Sequence, residues 1–309
     1  MASNAKIKVV GIGGSGGNTI SRMMKCKIKG VELLAINADA QDLQKARAHK
    51  KIRIGRNLTK GLGTGMNPEK GRAAAEEQRE EIEEVLRGSD MIFITCGLGG
   101  GCGSGGSLVV AEIAKKLGAL TLAVVTTPFS FEGSQRMEIA RNSQRLLKEK
   151  VDTLISISND RLFSFLEPKT TVLNAFWLCD EILRQAVQGI SDLIVLPGII
   201  NIDFADVKAI MKDSGTALFG IGRAKGPERA KEAAQRALNS PLLDVSCKGA
   251  KGVLFNVSGG RDISLTEVDE TAKIITQEVS PEAKIIFGAI QDEKLPKGEI
   301  KVTVIATGF

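Results

Sequence analysis

Residues Gly97–Ser107 read GLGGGCGSGGS, and the run lies between two apolar segments of different period. Before it, Asp90-Met-Ile-Phe-Ile-Thr-Cys96 is β-branched and apolar throughout, the pattern of a buried strand. After it, Leu108–Leu117 spaces its apolar residues as a helix does. The order is therefore strand, glycine loop, helix. Such a loop bares backbone N–H groups with no side chains in the way, at the positive end of a helix dipole. Both features suit phosphate.

The same alternation runs through the first half of the chain. Ile7–Ile12, Val31–Asn37, Met91–Cys96, Leu120–Thr126 and Thr153–Ile157 read as strands. Asn18–Cys26, Pro68–Arg87, Gly105–Leu117 and Gln135–Lys150 read as helices between them. Apolar strands alternating with helices predict a parallel sheet covered on both faces. Such sheets bind ligands at the carboxyl ends of their strands, where the glycine clusters fall here.

With 309 residues the chain exceeds the size of one core, so two domains are expected. Thr171–Asp192 reads as a long helix with Leu173, Phe176, Trp177, Ile182, Leu183 and Val187 on its apolar face, able to bridge two domains. Beyond it, strands at Thr216–Gly222, Gly252–Val257, Ala283–Gly288 and Ile300–Ala306, with helices at Pro227–Ala237 and Leu265–Glu278, predict a smaller α/β domain with a mixed four-stranded sheet. The chain ends directly after a strand, and a further tail is expected.

Composition excludes several classes. The five cysteines, Cys26, Cys96, Cys102, Cys179 and Cys247, form no CxxC pair, and a single His leaves no zinc site or His-based triad. Unpaired cysteines point to a reducing cytoplasm. No apolar run approaches the ~18 residues of a membrane span, so membrane insertion is not expected. The net charge of +6 would permit weak contact with anions. Lys and Arg are interspersed with Asp and Glu, as in Glu76–Arg87, no basic stripe stands out, and nucleic acid is not an expected partner.

Two more glycine clusters bear on the ligand. Gly11-Ile-Gly13-Gly14-Ser15-Gly16-Gly17-Asn18 satisfies GxGxxG after the first strand, with Asp39 near the position of a ribose-binding acid. Alone, that would favour an NAD-dependent oxidoreductase, or only a tight strand-to-helix turn. Gly61-Leu-Gly-Thr-Gly-Met-Asn-Pro68 adds a third loop. Three loops at one sheet edge suit a di- or triphosphate better than a single pyrophosphate. GxxxxGK[ST] is absent, so backbone N–H groups and a metal ion would hold the phosphates.

GGGCGSG at Gly99–Gly105 resembles the GGGTG(T/S)G signature of the tubulin/FtsZ GTPases. Asn37-Ala-Asp39, GLGTGMNPEKG at Gly61–Gly71, FEG at Phe131–Gly133, NDR at Asn159–Arg161, RQAVQGISDLI at Arg184–Ile194, PGIINIDFADVK at Pro197–Lys208 and the terminal VTVIATGF are similar to the bacterial FtsZ branch of that family. The resemblance covers the whole chain. It implies a GTP-binding domain over residues 1–170, a central helix and the start of a synergy loop over 171–198, and a GTPase-activating domain over 199–309.

The resemblance also implies roles. Gly13, Gly14 and Gly16 would line the diphosphate, with Gly17, Asn37 and Gly65 around it. Gly100, Gly101, Cys102, Gly103 and Ser104 would wrap the β- and γ-phosphates. Glu132 and Arg136 would meet ribose and phosphates. Asn159 and Asp180 would read guanine, with Phe176 against the ring; a carboxylate accepting from N1 and the 2-amino group selects guanine over adenine. Asn201, Asp203 and Asp206 would act on the nucleotide of a neighbouring subunit, so that hydrolysis needs polymerisation. By position alone, Asp203 is a helix N-cap and Asp180 a solvated helix acid.

The cofactors implied are GTP or GDP, Mg2+ and a monovalent cation at the synergy loop. The partners implied are further copies of the chain, head to tail, and division proteins and membrane anchors reached through a C-terminal tail. The location implied is the cytoplasm at the division site. A nucleotide-switched scaffold with little hydrolysis is the alternative within the family. Three departures stand out: Cys102 replaces Thr, Gly17 replaces Asn, and Thr127 replaces Arg. The helix N-terminus is expected to lower the Cys102 thiol pKa and make the apo protein easy to alkylate there.

Overall fold

The computed structural model describes residues 5–165, 169–196, 198–240, 247–292 and 295–309. The chain divides into two compact units, Met1–Gln188 and Gly189–Phe309.

In the first unit six strands, β1 (Ile7–Ile12), β2 (Val31–Asn37), β3 (Lys50–Arg53), β4 (Met91–Gly97), β5 (Leu120–Thr127) and β6 (Thr153–Ser158), are all parallel. Their order is β3-β2-β1-β4-β5-β6. The order reverses between β1 and β4, and a crevice opens beyond the strand ends at that switch point. Helices α1 (Gly13–Lys25), α2 (Ala40–Lys45), α3 (Pro68–Glu77), α4 (Arg79–Leu86), α5 (Gly101–Lys116) and α6 (Ser134–Lys148) connect the strands. Met91–Cys96 of β4 is buried throughout, which is why that strand reads as a continuous apolar run. Val10, Ile12, Ile94, Val109, Val110 and Ile113 belong to the core between the sheet and α5.

The expected parallel sheet is present, with three local differences. Strand β3 carries Lys-Lys-Ile-Arg, of which only Ile52 is buried. An edge strand gains little apolar burial and carries charge that discourages pairing with other chains, so it has no hydrophobic signature. The helix expected over Pro68–Arg87 is two, α3 and α4. Gln78 between them leaves helical geometry (φ −110°, ψ 26°), and its Oε1 accepts the Gly55 N–H at 2.5 Å. Helices α1 and α5 start at Gly13 and Gly101, within the glycine clusters and not after them.

Helix α7 (Val172–Val195) follows. The second unit then holds α8 (Phe204–Met211), β7 (Gly215–Lys225), α9 (Arg229–Leu238), β8 (Gly252–Gly259), α10 (Leu265–Gln277), β9 (Lys284–Gln291) and β10 (Glu299–Thr307). Its sheet is mixed, as expected, in the order β7-β10-β8-β9. β10 is antiparallel to β7 and β8, and β8 is parallel to β9. Helix α9 lays Ala230, Ala233, Ala234 and Ala237 on β7. A Cβ at Gly220 or Gly222 would sit 2.1 Å from the carbonyl oxygen of Ala237 or Ala233. The small residues on both sides are thus what lets helix and strand meet. No described helix is long and apolar enough to cross a membrane.

Candidate functional site

The strand ends at the switch point carry two helix N-termini. Ile12 and Gly100, the N-cap residues of α1 and α5, make no side-chain cap bond, and neither first turn contains an acid. Each first turn therefore keeps N–H groups that side-chain caps usually satisfy, next to the positive end of its dipole. The two ends touch: a Cβ on Gly13 would lie 3.2 Å from the Gly103 nitrogen. Gly13 also has φ +74° and Gly99 φ +95°, conformations that favour glycine.

Between and beyond these ends lies a cleft of about 660 Å³. Gly13, Gly14, Asn37, Gly65, Gly100, Gly101, Cys102, Gly103, Glu132, Arg136, Asn159, Phe176 and Asp180 all line it, so the fold brings together residues spread over 168 positions of sequence. Gly16, Gly17 and Ser104 do not line it. A Cβ on Gly16 would be 2.6 Å from the Thr95 carbonyl oxygen, which makes Gly16 a contact between α1 and β4. Gly17 faces a smaller neighbouring cavity. Ser104 is buried, and its Oγ accepts the Gly99 N–H at 2.9 Å, fixing the loop from inside.

The far side of the cleft carries a buried acid, a buried amide and a part-exposed ring. Asp180 on α7 is buried, with Ser15 Oγ 3.5 Å and Arg22 Nε 3.4 Å from its carboxylate. Burial pushes its pKa up to about 6, against the pull of Arg22. The expectation of a solvated helix acid is therefore overturned. Asn159 is buried with no hydrogen-bond partner for its Oδ1. Phe176 packs edge-on against Phe129 at 5.4 Å and keeps 38% of its surface exposed. Glu132 and Arg136 form an ion pair at 2.5 Å, one helical turn apart. Asn37 Oδ1 accepts the Asp39 N–H, and Asp39 caps α2 by accepting from Gln41 and Asp42. Among the described residues no cluster of three His, Cys, Asp or Glu could hold a metal ion.

Family models decide what this cleft belongs to. Residues 6–167 match the GTPase domain of the Tubulin/FtsZ family, and residues 215–309 match the C-terminal domain of the FtsZ family. The chain belongs to the tubulin/FtsZ family. It is a GTPase that binds guanine nucleotide, which ends the oxidoreductase alternative. FtsZ of M. jannaschii, solved as an empty dimer, is 49% identical with a TM-score of 0.95, over 99% of this chain and 89% of that one. A mutant of that FtsZ matches with the same identity and TM-score, over 99% and 92%. CetZ2 from Haloferax volcanii, solved as a GTPγS-bound protofilament, shares the fold at 22% identity and a TM-score of 0.82, over 97% and 92%.

Two expectations about this tubulin/FtsZ site change. Cys102 is buried at the start of α5, and burial pushes its thiol up to about 11 despite the helix N-terminus. A thiol held protonated and covered is not the easily alkylated group expected. Asp203 occupies the N-cap position of α8, but its side chain makes no cap bond. Asp206 lies in the first turn of α8, and Asn201 Oδ1 accepts the Gly198 N–H at 2.7 Å. These three residues belong to the second unit and do not line the cleft. Pro197, in the same motif, lies outside the described residues. Thr127 ends β5 between the lining residues Thr126 and Pro128.

Sequence reasoning missed Ser15 and Arg22. Both lie on the face of α1 that meets Asp180, and the spacing from Ser15 to Arg22, two helical turns, was the available signal. Arg22 also stacks over Trp177, 4.9 Å from the ring centroid. Thr64 and Met66 of the third glycine loop line the cleft as well.

Proposed function

We propose that this GTPase assembles head to tail into filaments that serve cell division, and that hydrolysis is completed where two copies meet. The observation that carries the reading is the pair of helix N-termini without side-chain caps that meet in one cleft, while Asp203 and Asp206 stand in the other unit of the chain. Glu132 is paired with Arg136, Asp180 with Arg22, and Asp39 caps α2. Asp42, in the first turn of α2, is the further acid of the cleft lining.

The roles follow from chemistry. Backbone N–H groups at Gly13, Gly14, Cys102 and Gly103 hold the phosphates, while the Gly101 N–H donates to the Gly65 carbonyl at 3.0 Å and joins the Gly97–Ser107 run to the Gly61–Pro68 loop. Glu132 and Arg136 meet ribose and phosphate. Asp180 accepts from N1 and the 2-amino group of guanine, Asn159 fills its acceptor, and Phe176 covers the ring. Among the described residues no cluster fits a resident metal, and Mg2+ is read as travelling with the phosphates, with a monovalent cation near Asn201. Asp203 and Asp206 of the next copy orient and polarise the attacking water; positioning and charge dominate such reactions, so weak bases suffice. A contact between unlike surfaces of two copies builds an open filament when its rotation does not close a ring. The relatives solved as a dimer and a protofilament support this reading.

Phosphate release from GTP measured against protein concentration, with light scattering in parallel, tests it. The expected result is turnover that appears together with scattering above a threshold concentration. Turnover per molecule that is constant down to dilute, non-scattering protein would overturn hydrolysis at a contact. Scattering with GTP but no phosphate release would make the chain a scaffold.

A further inference from the structure

The charge of this protein is not evenly interspersed along the chain. Residues 22–60 carry eleven Lys and Arg against three Asp and Glu, a net of +8 in a chain whose total is +6. The remainder is slightly acidic. The fold gathers these cations on one margin of the first unit. Lys25 ends α1, Lys27 and Lys29 stand in the turn before β2, Lys45 ends α2, and Lys50, Lys51 and Arg53 lie on the edge strand β3.

Distant parts of the margin are tied together. The Arg47 N–H donates to Ser21 Oγ at 2.9 Å, so Arg47, Lys25 and Lys45 surround one small cavity. His49 Nδ1 accepts the Leu33 N–H at 2.8 Å, which fixes the connection into β3 against β2. All of these Lys and Arg are exposed. Lys25, Lys27, Lys29, Lys45, Arg47 and Arg53 form no ion pair among the described residues, and Lys50 reaches Glu32 only at 4.0 Å. Several cations elsewhere on this unit are paired, as in Arg56–Glu81 at 2.7 Å and Lys150–Glu112 at 2.5 Å. Discouraging strand pairing explains charge on β3, but not Lys25, Lys27 and Lys29, which lie off the strand.

We propose that this margin docks on the surface of an anionic lipid bilayer, without insertion. Six of the eight cations are Lys, compact point charges that respond to charge density and not to forked geometry. Residues 22–60 contain no Phe, Tyr or Trp on which a nucleobase could stack, and their one ring, His49, is tied through Nδ1 to the Leu33 N–H. Clusters of about four to eight Lys and Arg suffice to hold a protein at acidic headgroups. Lys27 and Lys29 precede β2, and the nucleotide cleft opens at the other end of that strand, at Asn37, about 20 Å away. Arg53 pairs in register with Asn37, so the margin runs along the sheet edge from Lys27 and Lys29 to the rim of the cleft.

The test is co-sedimentation with vesicles of phosphatidylglycerol mixed into phosphatidylcholine, against vesicles of phosphatidylcholine alone, at low and physiological salt. The protein is expected on the anionic vesicles only, with binding that falls as salt rises. Lys29→Gln, Lys51→Gln and Arg53→Gln together should lower the partition coefficient about a hundredfold, at about fivefold per cation removed. A second triple off the strand, Lys25→Gln, Lys27→Asn and Lys29→Gln, should do the same; Asn suits position 27, where φ is +51°. A control triple, Lys148→Gln, Lys212→Gln and Lys251→Gln, should stay within a few-fold of the parent. Equal binding to neutral vesicles, or margin variants that bind no worse than the control, would overturn the proposal. So would tighter binding of the parent to duplex DNA than to anionic vesicles, which would assign the margin to nucleic acid. GTP turnover of each variant at the parental level shows that the fold is intact.

Discussion

At the scale of single residues, Asp180 sets stability against binding. Its carboxyl is pushed up to about 6 from the ordinary 3.8 by burial. The folded chain then holds that proton more tightly than the unfolded chain, so this residue lowers stability as pH rises from about 4 to 6. At neutral pH the cost is about 3 kcal/mol. Asp180→Asn should therefore raise the melting temperature of the nucleotide-free protein while weakening GTP binding at least tenfold, read by thermal scans and by titration with a fluorescent GTP analogue. Donors on guanine require the ionised carboxylate. GTP affinity should accordingly fall by up to tenfold per pH unit below about pH 6, and an Asn variant should lose that pH dependence. Affinity that is flat from pH 7 to 5 would remove Asp180 from guanine recognition. None of this was legible in the sequence, where Asp180 is one acid on a long helix. Its environment comes from Ser15 and Arg22, more than 150 positions away.

At the scale of elements, the glycine run divides its labour. Gly99 and Gly100 form the loop, whereas Gly101 and Gly105 let α5 lie against α3. A Cβ on Gly105 would come 1.9 Å from the Pro68 carbonyl oxygen, and one on Gly71 2.0 Å from that of Gly101. Helix propensity would favour Ala over Gly by about 1 kcal/mol. Overlap with backbone costs about 3 kcal/mol, and sterics win. Gly105→Ala should thus destabilise by about 2 kcal/mol in urea unfolding. Gly106→Ala, whose Cβ would meet side-chain atoms of Ile12 at 3.3 Å, should cost less. A Gly105→Ala protein as stable as the parent would show that α3 and α5 can separate freely. The sequence marks a strand, glycines and a helix, but not the neighbour against which the glycines press, because that neighbour is set by packing.

At the scale of the whole molecule, the proposed function assigns binding and hydrolysis to different units of one chain. Asp206→Ala should bind GTP with unchanged affinity, sediment as the parent does with GTP, and release phosphate about a hundredfold more slowly. Mixing it with an Asp180→Asn protein, which keeps Asp206 but binds GTP poorly, should restore part of the turnover. Restoration requires that one copy's second unit meet another copy's cleft. A mixture no faster than its separate components would argue for a site complete within one chain.

The sequence by itself determined the α/β alternation, the parallel sheet, the mixed second sheet and the tubulin/FtsZ family. These rest on local period, turn chemistry and contiguous motifs, all of which a linear string carries. The tertiary structure alone decided where helices α1 and α5 begin, that Cys102 is buried with its thiol pushed up, that burial raises the Asp180 carboxyl, and that eight exposed cations share one margin. Burial and electrostatic environment depend on residues that are neighbours in space and strangers in sequence. They exist only after the chain has chosen its contacts.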